Sequence, residues 1–87
     1  MTTTTQFDVT NQEWTEVATG STKVIVQIMT DGLVGIHVGA SAPEGDWTKG
    51  MILRTQFMAF PFFDISESDK VFVRAADASE TVNVLKT

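Results

Sequence analysis

Apolar residues recur at every second position in most segments of this chain, and that period limits the structures it can form. In residues 23–29 the even positions are valine or isoleucine, and residues 33–39 repeat the pattern with Val34, Ile36 and Val38. Such alternation is typical of β-strands that bury one face. Apolar residues nowhere recur at helical spacing over ten residues. The sequence therefore predicts an all-β protein.

Turn signals separate six or seven such segments. Asp31-Gly32 lies between the first two, and an Asp-Gly pair between alternating strands predicts a two-residue hairpin. Residues 70–75 and 81–85 alternate around a short polar connection, which predicts a second hairpin. We expect a small antiparallel β-sandwich or barrel of six to seven short strands.

The N-terminal segment has a different composition from the rest of the chain. Residues 2–5 are four consecutive threonines, which are expected to be either a disordered end or an arm that adds a strand to a neighbouring subunit. We therefore predict an N-terminal arm or edge strand over residues 1–12 and one β-sandwich domain over residues 13–87.

Composition limits the partners of the chain. Eleven acidic residues outnumber six basic ones, and the net charge of −5 disfavours nucleic acid and anionic membrane surfaces. No segment resembles a signal peptide, and the longest apolar run, residues 57–63, is far shorter than the ~20 residues of a membrane-spanning helix. The absence of cysteine excludes disulfides and thiolate metal sites. We expect a soluble domain made in a reducing cytoplasm.

Candidate catalytic groups are few. His37 is the single histidine, and the alternation places it opposite the apolar face of its strand, as a surface or interface residue. The sequence contains no metal-binding histidine pair and no nucleophile elbow. The acidic residues 64–69 lack the spacing of a calcium loop, and Asp64 and Ser66 suit the cap of a solvated turn. We expect no enzyme activity, no metal site and no cofactor.

Phenylalanine is concentrated in one place. Four of the six phenylalanines lie within seven consecutive residues, where both faces are apolar and Pro61 removes a backbone donor. Because the other strands already supply most of a small core, we expect only Phe57 and one of Phe60 or Phe63 inside. The rest of the run is predicted to contact another subunit. Its candidate interface residues are Phe60, Pro61 and Phe62.

Three further residues are candidates for a partner contact. Phe72 is flanked by two cations on a polar face, which suggests cation–π contacts or a patch between subunits. Arg54 is isolated among apolar neighbours and is expected to point outward, towards an acidic residue of a partner. Trp47, in a polar loop, is either a lid over one end of the core or an exposed platform for a sugar or a protein. Trp14, which begins a core-like strand, is predicted to be buried.

The order of these segments resembles that of a known family. A valine-rich strand and an Asp-Gly turn are followed by the segments 36–43 (IHVGASAP), 50–53 (GMIL), 71–75 (VFVRA) and 81–84 (TVNV). Over residues 14–85 this order is similar to that of the small all-β virion proteins of tailed bacteriophages. One departure is the segment 54–56 (RTQ), where many of those proteins carry a Pro-Gly-Glu-like turn.

The resemblance implies a non-enzymatic structural protein of the virion, made in the host cytoplasm. It implies a capsid decoration or cement protein, or a head-fibre protein, that binds the major capsid protein or other virion proteins and sister copies. A homo-oligomer is expected, with a trimer favoured at capsid three-fold positions. A tail accessory protein is an alternative location. A carbohydrate- or receptor-binding module with Trp47 as its platform is the alternative from another class.

Overall fold

A computed structural model describes residues 3–20, 23–54, 59–63 and 65–86, apart from the side chains of Phe62 and Phe63. Its strands are β1 (Thr3–Thr10), β2 (Thr15–Thr19), β3 (Lys23–Ile28), β4 (Val34–Gly39), β5 (Met51–Leu53), β6 (Ala59–Phe63), β7 (Lys70–Ala75) and β8 (Ser79–Lys86). A single turn of 3-10 helix, Trp47–Lys49, precedes β5. Within these residues no helix has the length and apolar character needed to cross a bilayer.

The strands form two four-stranded antiparallel sheets. Sheet 1 has the order β1-β8-β3-β6, and sheet 2 has the order β2-β7-β4-β5. Consecutive strands lie in opposite sheets except β4 and β5, which is the arrangement of an eight-stranded jelly roll. The predicted all-β antiparallel sandwich is confirmed. An eighth strand arises because the apolar residues between 51 and 63 form two strands, β5 and β6, which lie in different sheets.

Both predicted hairpins are wrong. β3 lies in sheet 1 and β4 in sheet 2, and the same separation holds for β8 and β7. Gly32 is not among the glycines with positive φ in the described residues, so the turn lacks the backbone that an Asp-Gly hairpin requires. The alternation could not reveal this, because a hairpin and a connection between two sheets both place alternate side chains in one interior.

Two hydrogen bonds join the connection between β3 and β4 to the start of β8. The Thr30 hydroxyl donates to Glu80 Oε1 at 2.6 Å, and the backbone N–H of Thr81 donates to Thr30 Oγ1 at 3.1 Å. Gly32 lies close to Glu80, and a Cβ at this position would collide with the Glu80 carboxylate. The glycine therefore provides space for a crossing between the sheets.

The core lies between the two sheets and is made mainly of valine. The predicted inward positions are buried: Val24, Val26, Ile28, Val34, Ile36, Val71, Val73, Ala75, Val82 and Val84. Val38 is half-buried and packs against them. Val9, Val17, Ala18 and Ile65 are also buried in this core. The side-chain alternation in the sequence thus identified the inner face of each central strand.

The threonines at positions 3–5 belong to the fold. From Thr3 to Thr10, β1 forms eight antiparallel residue pairs with β8, as an edge strand of sheet 1. The segment from Thr3 onward therefore pairs within its own chain. It is neither a disordered end nor a strand added to a neighbouring subunit.

Candidate functional site

The outer face of sheet 2 is covered by the loop of residues 40–50 that joins β4 to β5. The 3-10 turn in this loop packs against β4, β5 and β7. Asp46 caps the turn, since its carboxylate accepts the backbone N–H of Thr48 at 3.0 Å. Gly35 in β4 permits the close approach, because a Cβ at this position would collide with the carbonyl oxygen of Trp47.

Arg74 fastens this loop to the sheet. Its Nε and Nη2 donate to the carbonyl oxygen of Asn11 at 3.2 and 2.8 Å, and its Nη1 donates to the carbonyl oxygen of Gly45 at 2.9 Å. Trp14 Nε1 also donates to Gly45, at 3.2 Å. The guanidinium thus joins the loop to the connection between β1 and β2 through three charge-assisted hydrogen bonds.

An aromatic cluster lies on the same face of sheet 2. The ring of His37 stacks on Phe72 with a centroid distance of 6.3 Å, and Trp14 meets His37 edge-on at 6.5 Å. Phe72 is only 7% exposed. The predicted surface patch at Phe72 is therefore wrong, because the side chain is buried within its own chain. Trp14, predicted to be buried, is half-buried on this outer face.

Trp47 precedes β5 in the sequence and Arg54 follows it. Trp47 is half-buried in the 3-10 turn, so it belongs to the cover of sheet 2 and is neither a lid at the end of the core nor a fully exposed platform. Arg54 follows β5 and is exposed, as expected for an outward-pointing side chain. Its pairing with an acidic residue of a partner stays a prediction.

The phenylalanine run is divided between the core and the surface. Phe60 stands opposite Val26 in the register, is half-buried and packs against the core, as expected of one of Phe60 or Phe63. Its contact with a partner stays a prediction. Pro61 is exposed on the outer face of sheet 1, opposite Ile25. The side chain of Phe62, the other interface candidate, lies outside the described residues, and so does Phe57.

Among the described residues, the 3-10 turn packs on sheet 2, and no helical turn packs in the same way on the outer face of sheet 1. Two rows of side chains cross the four strands here, and we call their eight residues the uncovered face: Thr4, Leu85, Ile25 and Pro61 in the first row, and Gln6, Asn83, Gln27 and Ala59 in the second. A shallow depression of about 260 Å³ lies among them. The face is therefore part apolar and part amide.

The edge strand β5 carries exposed apolar side chains that sequence reasoning did not select. Met51 and Ile52 are each 49% exposed, more than any other large apolar side chain in the described part of the chain. Within sheet 2, β5 pairs only with β4. A signal was present in the sequence, because residues 51–53 are three consecutive apolar residues, and a strand directs successive side chains to opposite faces.

The charged groups offer little to a cofactor. Among the described residues, no group of three or more His, Asp or Glu side chains is placed to hold a metal ion. The hydroxyl of Thr19 donates to Glu16, and with Lys70 Nζ at 3.4 Å it holds the pKa of Glu16 below its usual value. This pair is exposed, so it has little effect on stability. Ser66 Oγ accepts the N–H of Ser68 at 3.4 Å, as expected of a capped turn.

Comparison with known proteins suggests no function, so a function has to be inferred from the residues of the chain itself. No model of a known family matches the chain, and neither the curated proteins nor the solved structures gave a significant match.

Proposed function

We propose that this protein is a non-enzymatic structural component of a tailed-phage virion. In this role it decorates the capsid as a cement or head-fibre protein, and it binds the major capsid protein and sister copies. The observation that carries the proposal is the strand order of the two sheets, since the double-sheet jelly roll is an architecture of viral capsid domains. The strand order supports this function by analogy of fold, and the sequence resemblance to small phage virion proteins adds to that support.

The exposed apolar residues of β5 support a contact with another protein. Met51 and Ile52 each leave about half of their surface in solvent, and Arg54 lies beside them. An apolar centre with an arginine at its rim has the composition of a protein interface. We assign this edge of sheet 2 to the capsid protein.

A carbohydrate-binding module is the second candidate, because lectin domains share the jelly-roll architecture. Sugar stacking needs an accessible aromatic face, and Trp47 is half-buried in the cover of sheet 2. The depression on sheet 1 is lined by Thr4, Ile25, Gln27, Ala59, Asn83 and Leu85, none of which is aromatic. These surfaces favour a protein partner over a glycan.

Cosedimentation with undecorated capsids tests the proposal. The purified chain should bind in a saturable, stoichiometric manner, and Ile52→Ser should weaken this binding about tenfold, the loss of about 1.4 kcal/mol from one apolar contact. Ala78→Ser, an apolar-to-serine change at an exposed residue between β7 and β8 and outside both proposed surfaces, is the control and should bind as the wild type does. Binding to neither heads nor tails would overturn the proposal. Glycan-array binding that Trp47→Ala abolishes would replace it with the second candidate.

A further inference from the structure

We propose that the uncovered face of sheet 1 packs against the same face of a second copy of this chain. The inference rests on the proposed function for the existence of sister-copy contacts, and it names the surface that makes them. Three properties of the face carry it: its charge, its hydrogen-bonding groups and its apolar area.

The uncovered face is electrically neutral in an acidic protein. The whole chain has a net charge of −5, yet the alternation in sheet 1 places only Asp8 and Lys23 near this face among the described charged residues. Their charges sum to −1 + 1 = 0, and they lie at opposite ends of the sheet. Two acidic chains can therefore approach through this face without direct repulsion between like charges.

The polar groups of the face are complementary to themselves. Threonine, glutamine and asparagine side chains each carry both donors and acceptors, so a copy of the face can satisfy the same groups on its partner. Gln6 Nε2 already donates to Asn83 Oδ1 at 3.2 Å, which aligns these amides across β1 and β8. A charged partner would find no charged group of opposite sign in either row.

The apolar groups supply the area to be buried. Leu85 and Ile25 are half-buried in the isolated chain, and Ala59 and Pro61 are exposed beside them. The edge of β6 is less suitable for strand addition, because Pro61 lacks the N–H that a continuous ladder would need. Packing of face on face is the arrangement that uses these side chains without extending the sheet.

The size of the face determines how strong the contact is. Four strands about 4.8 Å apart, each contributing a few residues at about 3.4 Å, give a flat area on the order of 300 Å². A stable interface buries about 800 Å² per partner, so we expect a weak dimer in dilute solution. On a capsid, where copies are held close together, the effective concentration would strengthen the same contact.

Sedimentation velocity over a concentration series tests the inference on the purified full chain. The wild type should pass from monomer to dimer, and Leu85→Lys should raise the dissociation constant at least about tenfold. Ala40→Lys is the matched control, because it adds the same charge in an exposed loop next to sheet 2, and it should dimerise as the wild type does. If Leu85→Lys fails to fold by circular dichroism, Thr4→Lys on the same face replaces it.

Each remaining outcome contradicts the inference. A chain that stays monomeric to its solubility limit, or a dimer that neither lysine on the face weakens, would overturn it. A trimer would also overturn it, because a face that meets its own copy closes at two chains. Capsid binding of the Leu85→Lys variant is measured at concentrations where the chain is monomeric, and it separates this inference from the proposed function. Dimerisation can fail while capsid binding is retained, and capsid binding can fail while dimerisation is retained.

Discussion

The two sheets of this sandwich have similar inner faces and different outer faces. Sheet 2 is covered by the chain's own loop, for which Gly35 leaves space. Arg74 holds this loop through one hydrogen bond to Gly45, and its two other hydrogen bonds go to Asn11 between β1 and β2. Sheet 1 presents two neutral rows of side chains to solvent. A chain of 87 residues buries only roughly 60–65% of the surface that its unfolded form exposes. The loop supplies cover for one sheet, and we infer that the other obtains it from a second copy.

The connectivity explains which sheet is covered. Only β4 and β5 are both consecutive in sequence and adjacent in a sheet. Residues 40–50, which join them, cannot enter an interior filled with valine, so they fold back over the outer face of the same sheet. The connection between β3 and β4, which crosses from one sheet to the other, leaves no length for a cover. The return of this loop to its own sheet therefore follows from the topology.

The largest difference in stability is expected between two isoleucine-to-threonine substitutions in β3, one on its inner face and one on its outer face. Ile28→Thr should lower the free energy of unfolding by about 3 kcal/mol, because it removes packing and buries a hydroxyl at a fully buried position. Ile25→Thr, on the uncovered face, should cost less than about 1 kcal/mol. Urea denaturation measures both. Equal losses would mean that the outer face of sheet 1 is already covered in the monomer.

The next effect tests how the cover of sheet 2 is fastened. Arg74→Met should lower the free energy of unfolding by about 2 kcal/mol, because the carbonyl groups of Asn11 and Gly45 lose a charged donor. Arg54→Met is the control, since Arg54 is exposed and no described residue is hydrogen-bonded to it. Urea midpoints should separate the two variants. Similar midpoints would show that the loop is held by other contacts.

A smaller effect is expected from a methyl group placed under the loop. Gly35→Ala should destabilise the chain by about 1–2 kcal/mol, because the new Cβ would collide with the backbone of Trp47. Gly39→Ala, on the same strand and face, would have the His37 ring as its nearest neighbour, and a side chain can shift at a lower cost than the backbone of Trp47. Thermal unfolding followed by tryptophan fluorescence compares the two. A Gly39→Ala variant as unstable as Gly35→Ala would contradict the role assigned to the loop.

The smallest effect is the pH dependence of the loop cap. Hydrogen bonds from the side chain and then the backbone of Thr48 hold the pKa of Asp46 below its usual 3.8. A lowered folded-state pKa means that the stabilisation is present above pH 3.8 and is lost as the pH falls through the folded value. Asp46→Asn keeps a capping side chain but does not titrate, so urea midpoints should fall less in acid than for the wild type.

A second variant checks the cause of this pH dependence. Thr48→Val removes the hydroxyl that contributes most to the lowered pKa of Asp46, so the acid-dependent loss should shrink as it does in Asp46→Asn. If the wild type and both variants lost stability in parallel as the pH falls, the cap would play no part in the acid response.

The candidate surfaces were only partly predictable. Pro61 and Arg54 are exposed, as expected from a bend and an isolated cation. Phe72 was misplaced because the local pattern does not show which loop or sheet covers a side chain. Leu85 and Ile25 could not be selected at all, since their importance depends on being adjacent across β8 and β3. That pairing joins residues about sixty positions apart in the sequence.

The sequence by itself determined the class of fold and the inner face of the strands, because side-chain alternation of period two is a local property of an extended backbone. It also determined the acidic charge and the absence of disulfides. Only the tertiary structure decided which strands are neighbours. Both expected hairpins became crossings between sheets, because contacts such as that of Glu80 with Thr30 join residues far apart in the chain. The same long-range pairing decided which sheet the chain's own loop covers.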